Sequence, residues 1–168
     1  MKKTAAYWID GLGLEKHPEG GYFKENYRSD EEHHQSVLPE RYGGNRNFGT
    51  AIYFLLDRDD FSAFHRLNSD EAWHLYDGGP LLIHMIDPQG IHKTFKLGLE
   101  LEKNESPFAI MPRGCWFAAE LIDKSNYALL GCTVAPGFHF DDFVLAEGKE
   151  LIRQFPQHKE LIGRLTRK

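Results

Sequence analysis

The chain has 168 residues, enough for one domain with a buried core and too few to require a second. With 41% hydrophobic and 27% charged residues it is not a disordered chain, and a formal charge of −5 without any basic stripe excludes nucleic acid as a partner. No apolar run approaches the ~20 residues of a membrane span. Met1, Lys2 and Lys3 imitate the start of a signal peptide, but Asp10 interrupts the apolar stretch that should follow, so the expected compartment is the cytoplasm.

In chain order, residues 5–12 carry Ala5, Trp8, Ile9 and Leu12 at helical spacing, with Thr4 as cap and Gly11 and Gly13 at the end. In HPEGG, Pro18 and the Gly20-Gly21 pair impose a turn, and residues 22–27 read as extended. Alternation puts Tyr22, Lys24 and Asn26 on one face and Phe23, Glu25 and Tyr27 on the other. Residues 30–47 are polar and read as a long excursion, a lid or a mobile loop. From Phe48 onward, runs rich in aromatic and β-branched residues at 49–56, 61–67, 71–76, 81–86, 92–97, 108–111, 115–121 and 127–134 alternate with turn signals. Many short, evenly spaced strands predict an all-β sandwich or jelly roll. The tail, 149–165, returns to helical spacing, and Pro156 should divide it into two short helices covering a sheet face. Cys115 and Cys132 lie in apolar strand contexts and are expected as buried thiols rather than a disulfide.

The chemistry concentrates in residues 59–78, where His65, Leu67, Glu71 and Gly78 fall at the spacing H-x-H-x3-E-x6-G, with leucine in the second histidine slot. Strand parity sets Phe61, Ala63, His65 and Leu67 on one face and Ser62, Phe64 and Arg66 on the other, while Glu71, Trp73 and Leu75 share a face after the turn. His65 and Glu71 are thereby the candidate polar pair of a pocket. A carboxylate facing a barrel interior is costly without a partner or a ligand. Either Glu19 or the strand after it, with Tyr22 and Glu25, could line the pocket mouth. Phe138, Phe140 and Phe143 read as packing residues, and His74 and Arg66, of opposite parity, as sheet or subunit contacts.

This spacing is the first half of the cupin signature. The second half, G-x5-P-x-G-x2-H-x3-N, is matched at Pro112 and Gly114 but carries Ser106, Phe117 and Leu121 in the Gly, His and Asn slots. Beyond it, HPEGGYFKENYRS, FHRLNSDEAWHLYDGGPL, PRGCWFAA, GCTVAPGFHFDDF and FPQHKELIGRL, in fixed order from about Leu14 to Leu165, resemble the cupin-5 (DUF985) family of RmlC-like cupins. The resemblance implies a double-stranded β-helix, a jelly-roll barrel in a single domain over 1–168, flanked by a short N-terminal helix and a C-terminal helical pair. It also implies a homodimer, for which the outward residues Phe64, Arg66 and His74 are candidates.

Metal-binding cupins hold their ion with three histidines and a glutamate; Leu67 and Phe117 stand in two of those slots, so neither metal nor cofactor is expected. The expectation is a metal-free site for a small polar metabolite, sugar-like compounds included. His65 and Glu71 would be its chemical residues, and Tyr53, Leu67, Trp73, Phe117, Tyr22 and Glu25 its ligand contacts. One alternative is an epimerase or isomerase with His65 as general base and Glu71 orienting it. The other is a metal-dependent oxygenase with non-standard ligands.

Overall fold

The computed structural model describes residues 3–167; the charged start at Met1 and Lys2 lies outside them. Its elements are α1 (Ala5–Leu12), β1 (Glu15–Lys16), β2 (Tyr22–Arg28), β3 (Glu32–His33), β4 (Arg46–Asn47), β5 (Thr50–Asp57), β6 (Phe61–Leu67), β7 (Asp70–Gly78) and β8 (Leu81–Ile86). They continue with β9 (His92–Leu97), β10 (Phe108–Met111), β11 (Trp116–Leu121), β12 (Tyr127–Ala135), β13 (Phe143–Leu145), α2 (Gly148–Gln154) and α3 (Lys159–Arg164). Thr4 caps α1 by accepting from the Tyr7 N–H, and Gly13 closes it in the left-handed region. A single 3-10 turn beginning at Pro156 separates α2 from α3, because proline can start a helix but not continue one.

The strands form a six-stranded sheet, β1-β2-β5-β12-β7-β10, and a five-stranded sheet, β13-β6-β11-β8-β9, paired antiparallel throughout. This is the jelly roll expected of the sequence. Leu56, Leu75, Ile83, Phe117 and Leu130 pack between the sheets. Helices α2 and α3 cover the outer face of the five-stranded sheet, with Leu151, Phe155 and Ile162 against Phe64 and Trp116. Helix α1 covers part of the other outer face, over Leu55 and Leu129.

Bulges in β6, β2 and β7 overturn the simple alternation, the last with Tyr76 unpaired between Leu75 and Asp77. In β6, His65 pairs with Phe117 and Ser62 with Ala119, so β6 carries one residue more than β11 between these points. Phe61 consequently joins Phe64 on the helix-covered side, and Ser62 is fully buried against Glu19. In β2 the register shifts between Glu25 and Tyr27, which brings Arg28 to the same side as Phe23 and Glu25.

The polar excursion at 30–47 is mostly exposed but is anchored to the barrel by two buried side chains, Tyr42 and Arg46. Strands β3 and β4 pair within it, and the Tyr42 hydroxyl, on a ring 1% exposed, hydrogen-bonds Ser69 Oγ at 2.9 Å. Arg46, 3% exposed, clamps Asp142 with Nε to Oδ2 at 2.5 Å and Nη2 to Oδ1 at 2.8 Å. A buried Arg–Asp fork is not visible in a segment whose average composition is polar. Phe64 is buried under α2 and α3, which removes it as a subunit contact. Cys115 and Cys132 are buried and free.

Candidate functional site

A cavity of about 250 Å³ opens between the two sheets at one end of the barrel. Its closed end holds Glu71, Trp73, His65 and Glu19, all buried, and its mouth holds the half-exposed Glu25 and Arg28 with the exposed Phe140. Between them the walls are aromatic and aliphatic, from Phe23, Ile52, Phe54 and Val134 on one sheet to Leu67 and Phe143 on the other.

Glu19 reaches the closed end from the HPEGG turn. Gly20 and Gly21 have φ of +115° and +70°, and a Cβ at Gly20 would lie 2.2 Å from the Phe61 carbonyl oxygen, so only glycine allows the approach. The Glu19 carbonyl then accepts from the Ala63 N–H at 2.9 Å and from Arg167 Nε at 3.1 Å. With its backbone so held, the Glu19 carboxyl accepts from Ser62 Oγ at 2.8 Å through Oε1. Its Oε2 lies 3.3 Å from His17 Nδ1 and 3.4 Å from His65 Nε2.

The protonation of this cluster follows from its bonds. His65 Nδ1 lies 2.7 Å from the Ala63 carbonyl and must donate to it, which leaves a lone pair on Nε2. His17 Nδ1 spends its lone pair on the Glu19 N–H at 3.3 Å, so the free lone pair facing Glu19 Oε2 is that of His65 Nε2. Burial raises the Glu19 carboxyl above its ordinary range, which favours a proton on Oε2 directed at that lone pair. Burial lowers His17 and takes His65 down to about 4, so both imidazoles are neutral.

Glu71 is different. It is 7% exposed, forms no ion pair among the described residues, and is pushed up to about 8 by burial and by the nearby Glu19. The Trp73 indole N–H points close enough to the carboxyl to oppose that rise, but not in the geometry of a well-formed hydrogen bond.

Of the residues read from the sequence, His65, Leu67, Glu71, Trp73 and Glu25 surround this cavity. His65 and Glu71 are not bonded to each other; the imidazole's polar neighbour is Glu19. Phe117 lies behind the wall, its ring 4.0 Å from the His65 ring. Tyr22 and Tyr53 point to the opposite face of the six-stranded sheet and pack near α1. Sequence reading placed Phe138, Phe140 and Phe143 as packing residues, and all three line the cavity. His17 and Arg28 were missed; a histidine two residues before Glu19 was a local signal, whereas Arg28 depends on a bulge that periodicity does not reveal.

A transition ion does not fit the four signature positions. Leu67 and Phe117 have no donor atoms, which leaves His65 Nε2 and the Glu71 carboxyl, two ligands where a catalytic site supplies three. Among the described residues, no group of three or more His, Cys, Asp or Glu side chains converges to hold one elsewhere.

The sequence matches the family Cupin_5, described as Cupin superfamily (DUF985), over residues 6–146. It is 31% identical over 156 residues to an uncharacterised protein of Saccharomyces cerevisiae, covering 86% of this chain and 76% of that one. The fold matches a crystal structure of a Shewanella oneidensis protein at TM-score 0.88 and 38% identity, with 99% of both chains covered. It also matches a hypothetical protein from Leishmania major at TM-score 0.90 and 33% identity, covering 99% of this chain and 100% of that one. Oxalate decarboxylase from Bacillus subtilis shares the fold at TM-score 0.54 and 16% identity, over 89% of this chain and 36% of that chain.

Proposed function

The chain belongs to the Cupin_5 (DUF985) family of the cupin superfamily, and from that premise we propose that it binds a small organic molecule in the barrel cavity. The observation that carries the reading is the buried Glu71 carboxyl and Trp73 indole N–H, neither in an ion pair or a well-formed hydrogen bond, at the closed end of an aromatic-walled cavity, polar groups left for a ligand to satisfy. The walls favour a ligand with an apolar body over the sugar-like metabolite suggested by the sequence. Binding is favoured over acid–base turnover because His65, held near 4 and oriented by Ala63 and Glu19, is a weak base that Glu71 does not support.

Thermal-shift screening of a metabolite library tests this. A ligand present at 100 times its Kd should add ~2.7 kcal/mol of stability, and Trp73 in the cavity wall gives its fluorescence as a second readout. A broad library in which no compound moves either signal would sink the reading.

We also propose that a second copy packs on the outer face of the six-stranded sheet. There Tyr76, Phe108 and Ile110 are exposed beside the edge strand β10, while α2 and α3 occupy the other sheet's outer face. Sedimentation at micromolar concentration should give a dimer, and Phe108→Glu combined with Ile110→Glu should give a 19.4 kDa monomer. A monomeric parent protein would refute it.

A further inference from the structure

We infer that the cavity's occupant is an organic ammonium ion carried on an aromatic or aliphatic body, with its charge against Glu71; the inference rests on the small-molecule reading above. Of the carboxyls lining the cavity, Glu25 is neutralised by Arg28 in a two-pronged contact of 2.9 and 2.7 Å, and Glu19 is engaged by Ser62 and two imidazoles. Glu71 alone among them has no ion pair and no well-formed hydrogen bond, its polar neighbour being the Trp73 indole N–H.

The cations of the lining point the same way. It holds one guanidinium, Arg28, and that guanidinium is spoken for. Besides Glu25, Arg28 donates to Asn47 Oδ1 at 2.7 Å and to the Phe138 carbonyl at 3.1 Å. No free fork remains to clamp a carboxylate or phosphate. Both lining imidazoles at the closed end are neutral, so an anion would find no countercharge there.

The walls suit the body of such an ion. Phe138, Phe140 and Phe143 pack edge to face, 5.1 to 6.1 Å apart, and with Phe23 and Phe54 they line the cavity between Glu71 and the mouth with apolar surface.

Without a cation, Glu71 keeps its proton. The cavity lining also holds Glu19, the neutral His65 and His17, the Trp73 indole and the protonated Cys132 thiol, while Arg28 is bound to Glu25 at the mouth and His139 is half-exposed. An ammonium group beside Glu71 would favour the carboxylate, so at pH 7 each binding event should expel about one proton. A neutral or anionic ligand would not produce that release.

The test uses phenylalkylamines from benzylamine to 4-phenylbutylamine, each with its matched alcohol and carboxylate. Titration calorimetry at pH 7 in two buffers of different ionisation enthalpy gives affinity and proton count. At least one amine should bind about tenfold or more tighter than its alcohol and carboxylate and release about one proton. In Glu71→Gln, verified as folded by circular dichroism and Tm, the amine preference should fall about tenfold and the release should vanish. Amines that bind no better than alcohols, bind without proton release, or bind equally to Glu71→Gln would overturn the inference. Alcohols or carboxylates binding in place of amines would overturn it while leaving the small-molecule reading intact. If nothing in the three series binds, the ammonium inference falls, and the library screen decides the broader reading separately.

Discussion

Glu71→Gln should make the protein more stable, by a margin that widens as the pH rises. The carboxyl titrates near 4.5 when unfolded and at about 8 in the fold, because burial and Glu19 disfavour its charge. Between those values the folded state holds a proton that the unfolded state has lost, so stability declines with rising pH, by up to about 1.4 kcal/mol per unit. Below 4.5 both states are protonated, and above about 8 neither is, so the slope from this group is confined to that window. Glutamine does not titrate and removes the decline. His65, lowered from 6.5 to about 4, has the opposite sign and adds stability as pH rises between those values, but it is present in both proteins and cancels in their difference. Thermal melts from pH 4 to 9 should show the gap between variant and parent growing by about 2–4 kcal/mol, or roughly 4–15 °C in Tm. A constant gap would mean that Glu71 is ionised at neutral pH in the fold. The same substitution is expected to weaken ligand binding, so the stability lost at this carboxyl is what keeps a buried charge ready for a partner.

Asp142→Ala should act in the opposite direction and at least as strongly. Arg46 and Asp142 are 3% and 4% exposed and meet in a two-pronged contact, with Asn68 donating to the same carboxylate at 3.1 Å. Removing the acid leaves a buried guanidinium without its countercharge, at a cost of about 3–5 kcal/mol. The loss is local as well as global, because Asp142 anchors the segment that carries Phe138 and Phe140 over the cavity. Chemical denaturation should report the stability loss, and limited proteolysis near 136–142 should report the loosened segment. A double variant, Arg46→Met with Asp142→Leu, should recover much of the stability, because no charge remains to be buried. If the single variant loses less than about 1 kcal/mol, the pair is solvated in solution and does not hold the segment.

Much of the fold could be read from local pattern. The helix capped by Thr4, the strands from β5 to β12 and the break at Pro156 each depend on short-range chemistry, and the structure places them within a residue or two of their expected limits. The cavity was half legible. His65, Leu67, Glu71 and Trp73 are neighbours on one hairpin, where alternation carries real information. Glu19 approaches from the far side of the barrel, and its meeting with His65 is a long-range contact that no periodicity encodes. The bulges in β2 and β6 account for other misses, since one extra residue exchanges the faces of everything beyond it. Tyr22 and Tyr53 were misplaced for a simpler reason. An aromatic residue with a hydroxyl suits a binding pocket and the cover of a helix equally well, and here both lie on the α1 side.

The anchoring of Glu19 bears on how the protein is made. Its carbonyl is tied to Arg167, 148 residues later in the chain, and Arg167 also reaches Asp60 at 2.8 Å and the Phe61 carbonyl. During synthesis the barrel strands emerge well before that arginine, so a nascent chain can complete its sheets while the HPEGG turn still lacks two of its hydrogen bonds. Closure of the cavity's far end then belongs among the last steps of folding, because contacts between distant parts of a chain form late. Replacing Arg167 should therefore leave the two sheets intact and loosen only the turn that presents Glu19.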